Sequence, residues 1–267
     1  MYDIIVIGNG PAGLSAAITA RMREKSVVVV SNSSAGSGLY KAAEVGNYPG
    51  LPGISGAALS GKMADHAAAM GAELITGRVT TVLPVGKDIN VGYGSEILTG
   101  KSLILATGIV QAAVFPGEKE LLGSGVSYCA TCDGMLYRGK KVVVVCLSPD
   151  AEEEADFLSS IGCDVTKLKT KNIKVNGTDR VASVTADGED IPCDGVFILR
   201  QTIAPASLIP GLETEKNHIR VDRSMKTNIP GVFAAGDCTG TPYQIAKAAG
   251  EGQVAVLSAV EYLARSE

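Results

Sequence analysis

Two closely spaced cysteines are the residues whose types and spacing most clearly predict chemistry in this chain. They lie in the segment Tyr128-Cys129-Ala130-Thr131-Cys132-Asp133-Gly134. Cysteines separated by two residues can close a small ring at the start of a helix, where the helix dipole and nearby N–H groups favour thiolate. Such a pair can cycle between a dithiol and a disulfide. We therefore expect a redox-active disulfide between Cys129 and Cys132.

Metal binding is the competing use of such a pair. Tetrahedral zinc needs four ligands, but the chain has no second C-x-x-C and only two histidines, His66 and His218, far apart in sequence. We therefore expect no metal site. The other cysteines stand in apolar or strand-like surroundings and are expected to be small buried side chains: Cys146, Cys163, Cys193 and Cys238.

A glycine-rich loop at the start of the chain predicts a dinucleotide-binding unit. The apolar strand Tyr2–Ile7 leads into Gly8-Asn9-Gly10-Pro11-Ala12-Gly13, and a helix from Pro11 to about Arg23 and a strand at Val27–Val30 follow. In this context the first glycine allows the turn, the second lets a pyrophosphate approach the backbone, and the third lets helix and strand pack closely. The expected cofactor-binding residues are Gly8, Gly10, Pro11, Ala12 and Gly13.

One residue of that fingerprint is missing. An acidic side chain normally ends the second strand and binds the ribose hydroxyls, but this chain has Val30-Ser31-Asn32 there. Ser31 or Asn32 could make a weaker hydrogen bond. We therefore expect pyrophosphate binding with an altered adenosine site.

A second unit of the same outline begins near Lys140, with a strand at Val142–Val145 and a helix at Asp150–Leu158. The chain ends with an apolar strand, Gly231–Ala235, and a helix from about Gln244 to Ala264. This order predicts an α/β fold of two Rossmann-like dinucleotide-binding domains. The first comprises residues 1–114 and 214–267, and the second, residues 115–213, is inserted into it.

Taken together, these motifs resemble the low-molecular-weight thioredoxin reductases over nearly the whole chain. The resemblance lies in C-A-T-C-D-G at 129–134, the N-terminal loop, A-A-G-D at 234–237 and Ala106-Thr107-Gly108. It implies a homodimeric FAD enzyme whose substrate is thioredoxin. It also implies that Cys129 attacks the substrate disulfide, that Cys132 lies against the flavin, that Asp133 exchanges a proton, and that Gly236 and Asp237 bind the ribityl chain.

The family's second glycine loop, which receives NADPH, is absent from this chain. Its place is taken by Cys146-Leu147-Ser148-Pro149-Asp150-Ala151, and Glu152, Glu153 and Glu154 follow. Within this segment, Ser148 is expected to be the N-cap of the helix predicted at Asp150–Leu158. The negative charges of these acidic residues already match the helix dipole, and they would repel an incoming pyrophosphate. The second domain is therefore expected to be degenerate, with NADPH not the electron donor.

Some relatives that lack the NADPH motifs take electrons from reduced ferredoxin, and others use a reduced deazaflavin coenzyme. This chain most resembles the ferredoxin-using group, which implies further residues near the flavin: Lys41, Asn47, Tyr48, Gln244 and Ile245. An acidic electron carrier needs a positive docking surface. The candidates are Lys167, Lys169, Lys171 and Lys174.

Composition and charge limit the other classes of function. The formal net charge of −4 gives no field that would attract nucleic acid or an anionic membrane. The apolar runs are too short to span a bilayer and no signal peptide is visible, so a cytoplasmic protein is expected. Three alternatives stay open: a dithiol oxidase that passes electrons to oxygen, a conventional NADPH enzyme, and a redox-sensing flavoprotein without catalysis.

Overall fold

The computed structural model describes residues 1–32, 39–109, 114–148, 151–200 and 205–266, without the side chains of Cys132, Pro205, Ala206 and Ser266. The chain forms two compact units. Unit 1 consists of Met1–Val110 and Ala204–Glu267, and unit 2 of Gln111–Ile203. The predicted domain boundaries after residues 114 and 213 stay predictions.

The elements follow one another as a mixed α/β fold, as predicted. The strands are β1 (Tyr2–Ile7), β2 (Val27–Ser31), β3 (Glu73–Thr76), β4 (Val79–Val85), β5 (Asp88–Tyr93), β6 (Glu96–Leu105), β7 (Val126–Ser127), β8 (Lys141–Leu147), β9 (Asp164–Leu168), β10 (Ile173–Gly177), β11 (Val181–Ala186), β12 (Glu189–Pro192), β13 (Gly195–Arg200), β14 (Thr214–Glu215), β15 (His218–Ile219) and β16 (Val232–Ala234). The helices are α1 (Pro11–Met22), α2 (Gly56–Ala69), α3 (Ala130–Asp133), α4 (Ala151–Ser160), α5 (Pro205–Leu208) and α6 (Ile245–Ser266).

The sheet of unit 1 has the strand order β3-β2-β1-β6-β5-β4, with β16 also paired to β6. Strands β3, β2, β1, β6 and β16 pair in parallel with one another, whereas β5 pairs antiparallel with β6 and β4 antiparallel with β5. The central strand β1 is buried from Ile4 to Ile7, as expected for a parallel strand covered on both faces.

Helices α1 and α6 cover one face of this sheet and lie unusually close together. A Cβ atom at Gly252 would come within 2.1 Å of the Ala12 carbonyl oxygen, so only glycine permits this approach. The Ser15 hydroxyl also donates to the Ala249 carbonyl at 2.8 Å. Small residues on α1 therefore bring α6, and the loop that precedes it, next to the N-terminal glycine turn.

Unit 2 combines a parallel sheet of order β7-β13-β8-β9 with an antiparallel sheet of order β10-β11-β12. The side chains of β8 alternate between two cores: Val143 and Val145 pack with the antiparallel sheet, and Val144 packs with Ala155 and Leu158 of α4. The two-residue period of the strand thus fixes α4 on the opposite face from the antiparallel sheet.

In the part of the chain that the structure describes, no helix is long and apolar enough to cross a membrane.

A buried ion pair links the beginning of unit 2 to the end of β13. Glu118 is 1% exposed, and its two carboxylate oxygens accept from the two terminal nitrogens of Arg200 at 2.6 and 2.7 Å. The Phe115 backbone N–H and the Tyr128 hydroxyl also donate to Glu118, each at 2.8 Å. Burial acts to raise the pKa of Glu118, but these donors hold that pKa below its usual value.

We predict that Glu118→Gln lowers the free energy of unfolding by about 3–5 kcal/mol, because it leaves the Arg200 charge partly buried without its counter-ion. Urea unfolding at neutral pH measures this difference. The control is Glu213→Gln, which breaks an exposed pair with Arg220 at 3.0 Å and should cost about 0–1 kcal/mol.

The same comparison has a defined pH dependence. Because the folded-state pKa of Glu118 is lowered, its contribution is complete above the unfolded-state pKa and is lost as the pH falls through the folded-state pKa. The stability gap between the parent and Glu118→Gln should therefore close in acid. Equal stability of the two proteins at neutral pH would contradict the assigned role.

Candidate functional site

The N-terminal glycine turn has the geometry that its sequence predicts. Gly8 has a φ of +115°, and a Cβ atom there would lie 2.2 Å from the Ala106 carbonyl oxygen. A Cβ atom at Gly13 would lie 1.9 Å from the Gly8 carbonyl oxygen. At Gly10, in contrast, a Cβ atom would meet nothing within 4 Å. Gly8 and Gly13 therefore serve close packing, whereas Gly10 leaves room for a ligand beside the backbone.

A cavity of about 470 Å³ opens at this turn within unit 1. Its volume lies in the range of small-molecule sites. The cavity gathers predicted residues from four parts of the sequence: Gly10, Pro11, Ala12, Asn47, Ala106, Gly108, Gly236, Asp237, Gln244 and Ile245. Residues that were not among the predicted cofactor-binding residues complete the wall: Leu39, Ala42, Glu44, Val45, Gly46, Ala235, Tyr243 and Ala248.

Seven predicted cofactor-binding residues lie outside this lining. Gly8 and Gly13 pack behind it, and the others are Ser31, Asn32, Lys41, Tyr48 and Thr107. The Ser31 hydroxyl donates to the Asn32 carbonyl at 3.1 Å, at the end of β2. The role of these two residues in adenosine binding stays a prediction.

Asp237 carries the clearest sign of a missing partner. Its Oδ1 atom is buried and has no hydrogen-bond partner among the described residues, although it belongs to a cavity-lining residue. Burial raises the pKa of Asp237, against the opposing attraction of Lys247. A buried carboxylate oxygen without a donor is costly, so the position favours a ligand that brings a hydroxyl donor. The ribityl chain of FAD provides such donors, and these residues fit it.

A charged network that sequence reasoning missed holds the turn of Asp237. Glu251 accepts from the Gly236 N–H and the Thr239 hydroxyl, each at 2.9 Å. Lys247 donates to the carbonyls of Gly236 and Gly240 at 3.0 and 2.7 Å, and it pairs with Glu251 at 3.1 Å. The spacing of four residues between Lys247 and Glu251 on the last helix was the available signal.

The dithiol turn lies in unit 2, between β7 and α4. Cys129 is 6% exposed and is disulfide-bonded, whereas the Cys132 side chain lies outside the described residues. The Ser127 hydroxyl donates to Asp133 Oδ2 at 2.6 Å and accepts from the Cys129 N–H at 3.1 Å. Ser127, which the sequence analysis did not select, thus joins the predicted acid to the backbone of the first cysteine.

The remaining four cysteines are free thiols. Cys163, Cys193 and Cys238 are buried, as predicted, and Cys146 is half-buried. Burial raises the pKa of Cys193 and that of Cys238 to about 11. High thiol pKa values disfavour the reactive thiolate, so these two side chains are suited to packing.

The helix that follows the degenerate loop uses its acidic residues internally. Glu152 pairs with Lys169 at 2.5 Å, and Asp156 pairs with Lys167 at 2.6 Å, which joins α4 to β9. Two of the four lysines predicted to dock an acidic carrier are therefore already paired with carboxylates, so the four do not form a free positive patch.

The capping prediction for Ser148 is wrong. Its hydroxyl is buried without a hydrogen-bond partner among the described residues, and Ala151 N–H bonds to the Ser148 carbonyl at 3.2 Å instead. The loop residues Pro149 and Asp150 lie outside the described part of the chain. Within that part, no three metal-ligating side chains converge.

Comparisons with known proteins agree with this arrangement. A family model described as pyridine nucleotide-disulphide oxidoreductase matches residues 2–173 and 166–252. Thioredoxin reductase of Listeria monocytogenes is 32% identical, over 98% of this chain and 94% of the relative. A crystal structure of a ferredoxin-flavin thioredoxin reductase from Clostridium acetobutylicum is 39% identical with a TM-score of 0.90, over 99% of this chain and 98% of that one. A thioredoxin reductase structure from Gloeobacter violaceus is 31% identical with a TM-score of 0.79, over 100% and 95%.

We predict that Lys247→Met weakens FAD binding by about 10- to 100-fold, because it removes charged hydrogen bonds worth about 1.5–3 kcal/mol from the turn that presents Asp237. Titration of the apoprotein with FAD, followed by flavin fluorescence, measures the dissociation constant. The control is Arg265→Met on the same helix, which removes only an exposed pair with Glu261. Equal FAD affinity of the Lys247→Met protein and the parent would contradict the proposed support of this turn.

Proposed function

The chain belongs to the pyridine nucleotide-disulphide oxidoreductase family, and we propose that it reduces thioredoxin with electrons taken from reduced ferredoxin. The chain is a thioredoxin reductase-like flavin oxidoreductase, and FAD is the cofactor of this family. We further propose that units 1 and 2 correspond to the FAD-binding domain and the inserted dithiol domain, and that the enzyme is a cytoplasmic homodimer.

The observation that carries the choice of donor is the state of the second nucleotide site. A pyrophosphate needs glycine backbone and a helix N-terminus without competing anions. Here the first turn of α4 holds three glutamates, and Lys167 and Lys169, which could attract a phosphate, pair with carboxylates of the same helix. The 39% identity to the ferredoxin-flavin thioredoxin reductase supports the same choice.

Bound FAD supplies a two-electron carrier for the disulfide. In unit 1, Asp237 would hold the ribityl hydroxyls, and Gly10 would leave space for the pyrophosphate. The network of Lys247 and Glu251 would fix the turn that carries Asp237. The Asn47 amide, which donates to the Gln244 side chain at 2.8 Å, would hold one wall of the cavity in place.

In unit 2, the proposed chemistry is thiol–disulfide exchange. The Cys129 thiolate attacks one sulfur of the thioredoxin disulfide, which forms a mixed disulfide and releases the other sulfur as a thiolate. The Cys132 thiolate then attacks Cys129, which restores the protein disulfide and releases thioredoxin with two thiols. Asp133, oriented by Ser127 at 2.6 Å, exchanges the proton that these steps require.

Anaerobic mixing with alternative donors tests the choice of donor. We predict that reduced ferredoxin bleaches the flavin absorbance and yields thioredoxin thiols, whereas NADPH and NADH each bleach it at least about 100-fold more slowly, because α4 carries carboxylates where a pyrophosphate would bind.

Other results would select the alternatives. Rapid bleaching by NADPH would revive the conventional enzyme, and bleaching by a reduced deazaflavin alone would identify that donor. Oxygen consumption with small dithiols, without thioredoxin reduction by any donor, would identify a dithiol oxidase. A flavin that no donor reduces would favour a redox-sensing protein.

A further inference from the structure

The dithiol turn rests directly on α4. Ala130, the residue after Cys129, is fully buried in a cluster with Ala151, Ala155 and Leu158 of that helix. A Cβ atom at Gly134 would come within 2.7 Å of the Leu158 side chain. This close packing fixes the position of the turn on α4.

One acidic residue of α4 bonds to the turn itself. Glu154 Oε2 accepts from the Ala130 N–H at 3.3 Å. Its neighbours Asp156 and Glu152 instead pair with Lys167 of β9 and with Lys169, which follows that strand, and Glu153 is exposed. The half-buried Glu154 thus bonds to the backbone of the dithiol turn, and Glu153 offers a matched control on the same helix.

A carboxylate in this position changes the balance between disulfide and dithiol. Reduction of the disulfide takes up two electrons and two protons and gives two thiols, one of which can ionise to a thiolate. A carboxylate close to a thiol disfavours the thiolate because like charges repel. Glu154 takes up the Ala130 N–H of the turn and would repel a thiolate formed there, whereas the disulfide carries no charge to be repelled.

We propose that Glu154 is a positioning residue that, through the Ala130 N–H, holds the dithiol turn on α4 and makes the reduced Cys129/Cys132 pair a stronger reductant. The inference rests on the dithiol role proposed above. It adds that Glu154 increases the free energy released when the Cys129/Cys132 dithiol reduces a substrate disulfide.

Other charged groups surround the turn and are common to every variant in the test. They are Asp133, held by Ser127; the Glu118–Arg200 pair, reached through Tyr128; and Tyr137, whose pKa is raised by burial and then by Asp133. Comparison of variants at one pH therefore isolates the charge of Glu154.

The test is the equilibrium between the FAD-bound protein and dithiothreitol, in which the protein disulfide and two reagent thiols give two protein thiols and the cyclic reagent disulfide. Thiol trapping and mass spectrometry count the reduced fraction. At about pH 9, above the ordinary thiol pKa of about 8.5, Glu154→Gln should shift this equilibrium about three- to tenfold toward the dithiol. Tenfold corresponds to about 30 mV for a two-electron couple.

The controls separate charge from structure. Glu153→Gln should stay within about twofold of the parent, and Glu154→Asp, which keeps the charge, should lie closer to the parent than Glu154→Gln. At about pH 6, well below the ordinary thiol pKa of about 8.5, the shift of Glu154→Gln should fall below about twofold. Unchanged equilibria in Glu154→Gln at about pH 9, an equal shift in Glu153→Gln, or an equal shift at both pH values would overturn the proposal.

The outcome does not depend on thioredoxin or ferredoxin. If the parent protein fails to reduce thioredoxin, the proposed function fails, but the dithiol equilibrium still reports on Glu154. If the parent is active and the Glu154→Gln equilibrium equals that of the parent, this inference alone fails.

Discussion

The cofactor cavity depends on backbone contacts that leave no room for a Cβ atom. Gly8 meets Ala106 just after β6, Gly13 meets Gly8, and Gly252 of α6 meets Ala12. These contacts bring the first helix, the central strand and the last helix together at the carboxyl edge of the parallel strands. At that edge, an open α/β sheet binds its ligands. Any larger side chain at the three glycines would force these backbones apart, so cavity shape and core packing follow from one constraint.

Charge is arranged differently in the two units, and each arrangement suits its chemistry. In unit 1, Lys247 and Glu251 neutralise each other beside the turn of Asp237, whose Oδ1 atom has no hydrogen-bond partner among the described residues. In unit 2, acidic side chains border the dithiol turn: Ser127 holds Asp133, and the Ala130 N–H holds Glu154. The first unit thus offers an acceptor to a neutral polyol, and the second places two carboxylates beside the backbone of the dithiol turn.

The sequence predicted the elements with strong local patterns. The strand, glycine turn and helix at the N-terminus, the last strand and helix, and the mixed α/β fold are confirmed, because continuous apolar runs and glycine turns are encoded over a few consecutive residues. Contacts between distant residues left no such pattern. Ser127 is unremarkable until the chain folds it onto Asp133, and Lys167 and Lys169 resemble a free basic stripe until α4 places Asp156 and Glu152 beside them.

The central claim is that Cys129 is the attacking sulfur and Cys132 its resolving partner. The direct measurement is mass spectrometry of the reduced Cys132→Ser protein after brief mixing with oxidised thioredoxin. The account predicts a stable covalent adduct joined through Cys129, because the second cysteine is no longer present to release thioredoxin. An absence of adduct, or an adduct through one of the free thiols at Cys146, Cys163, Cys193 or Cys238, would contradict it.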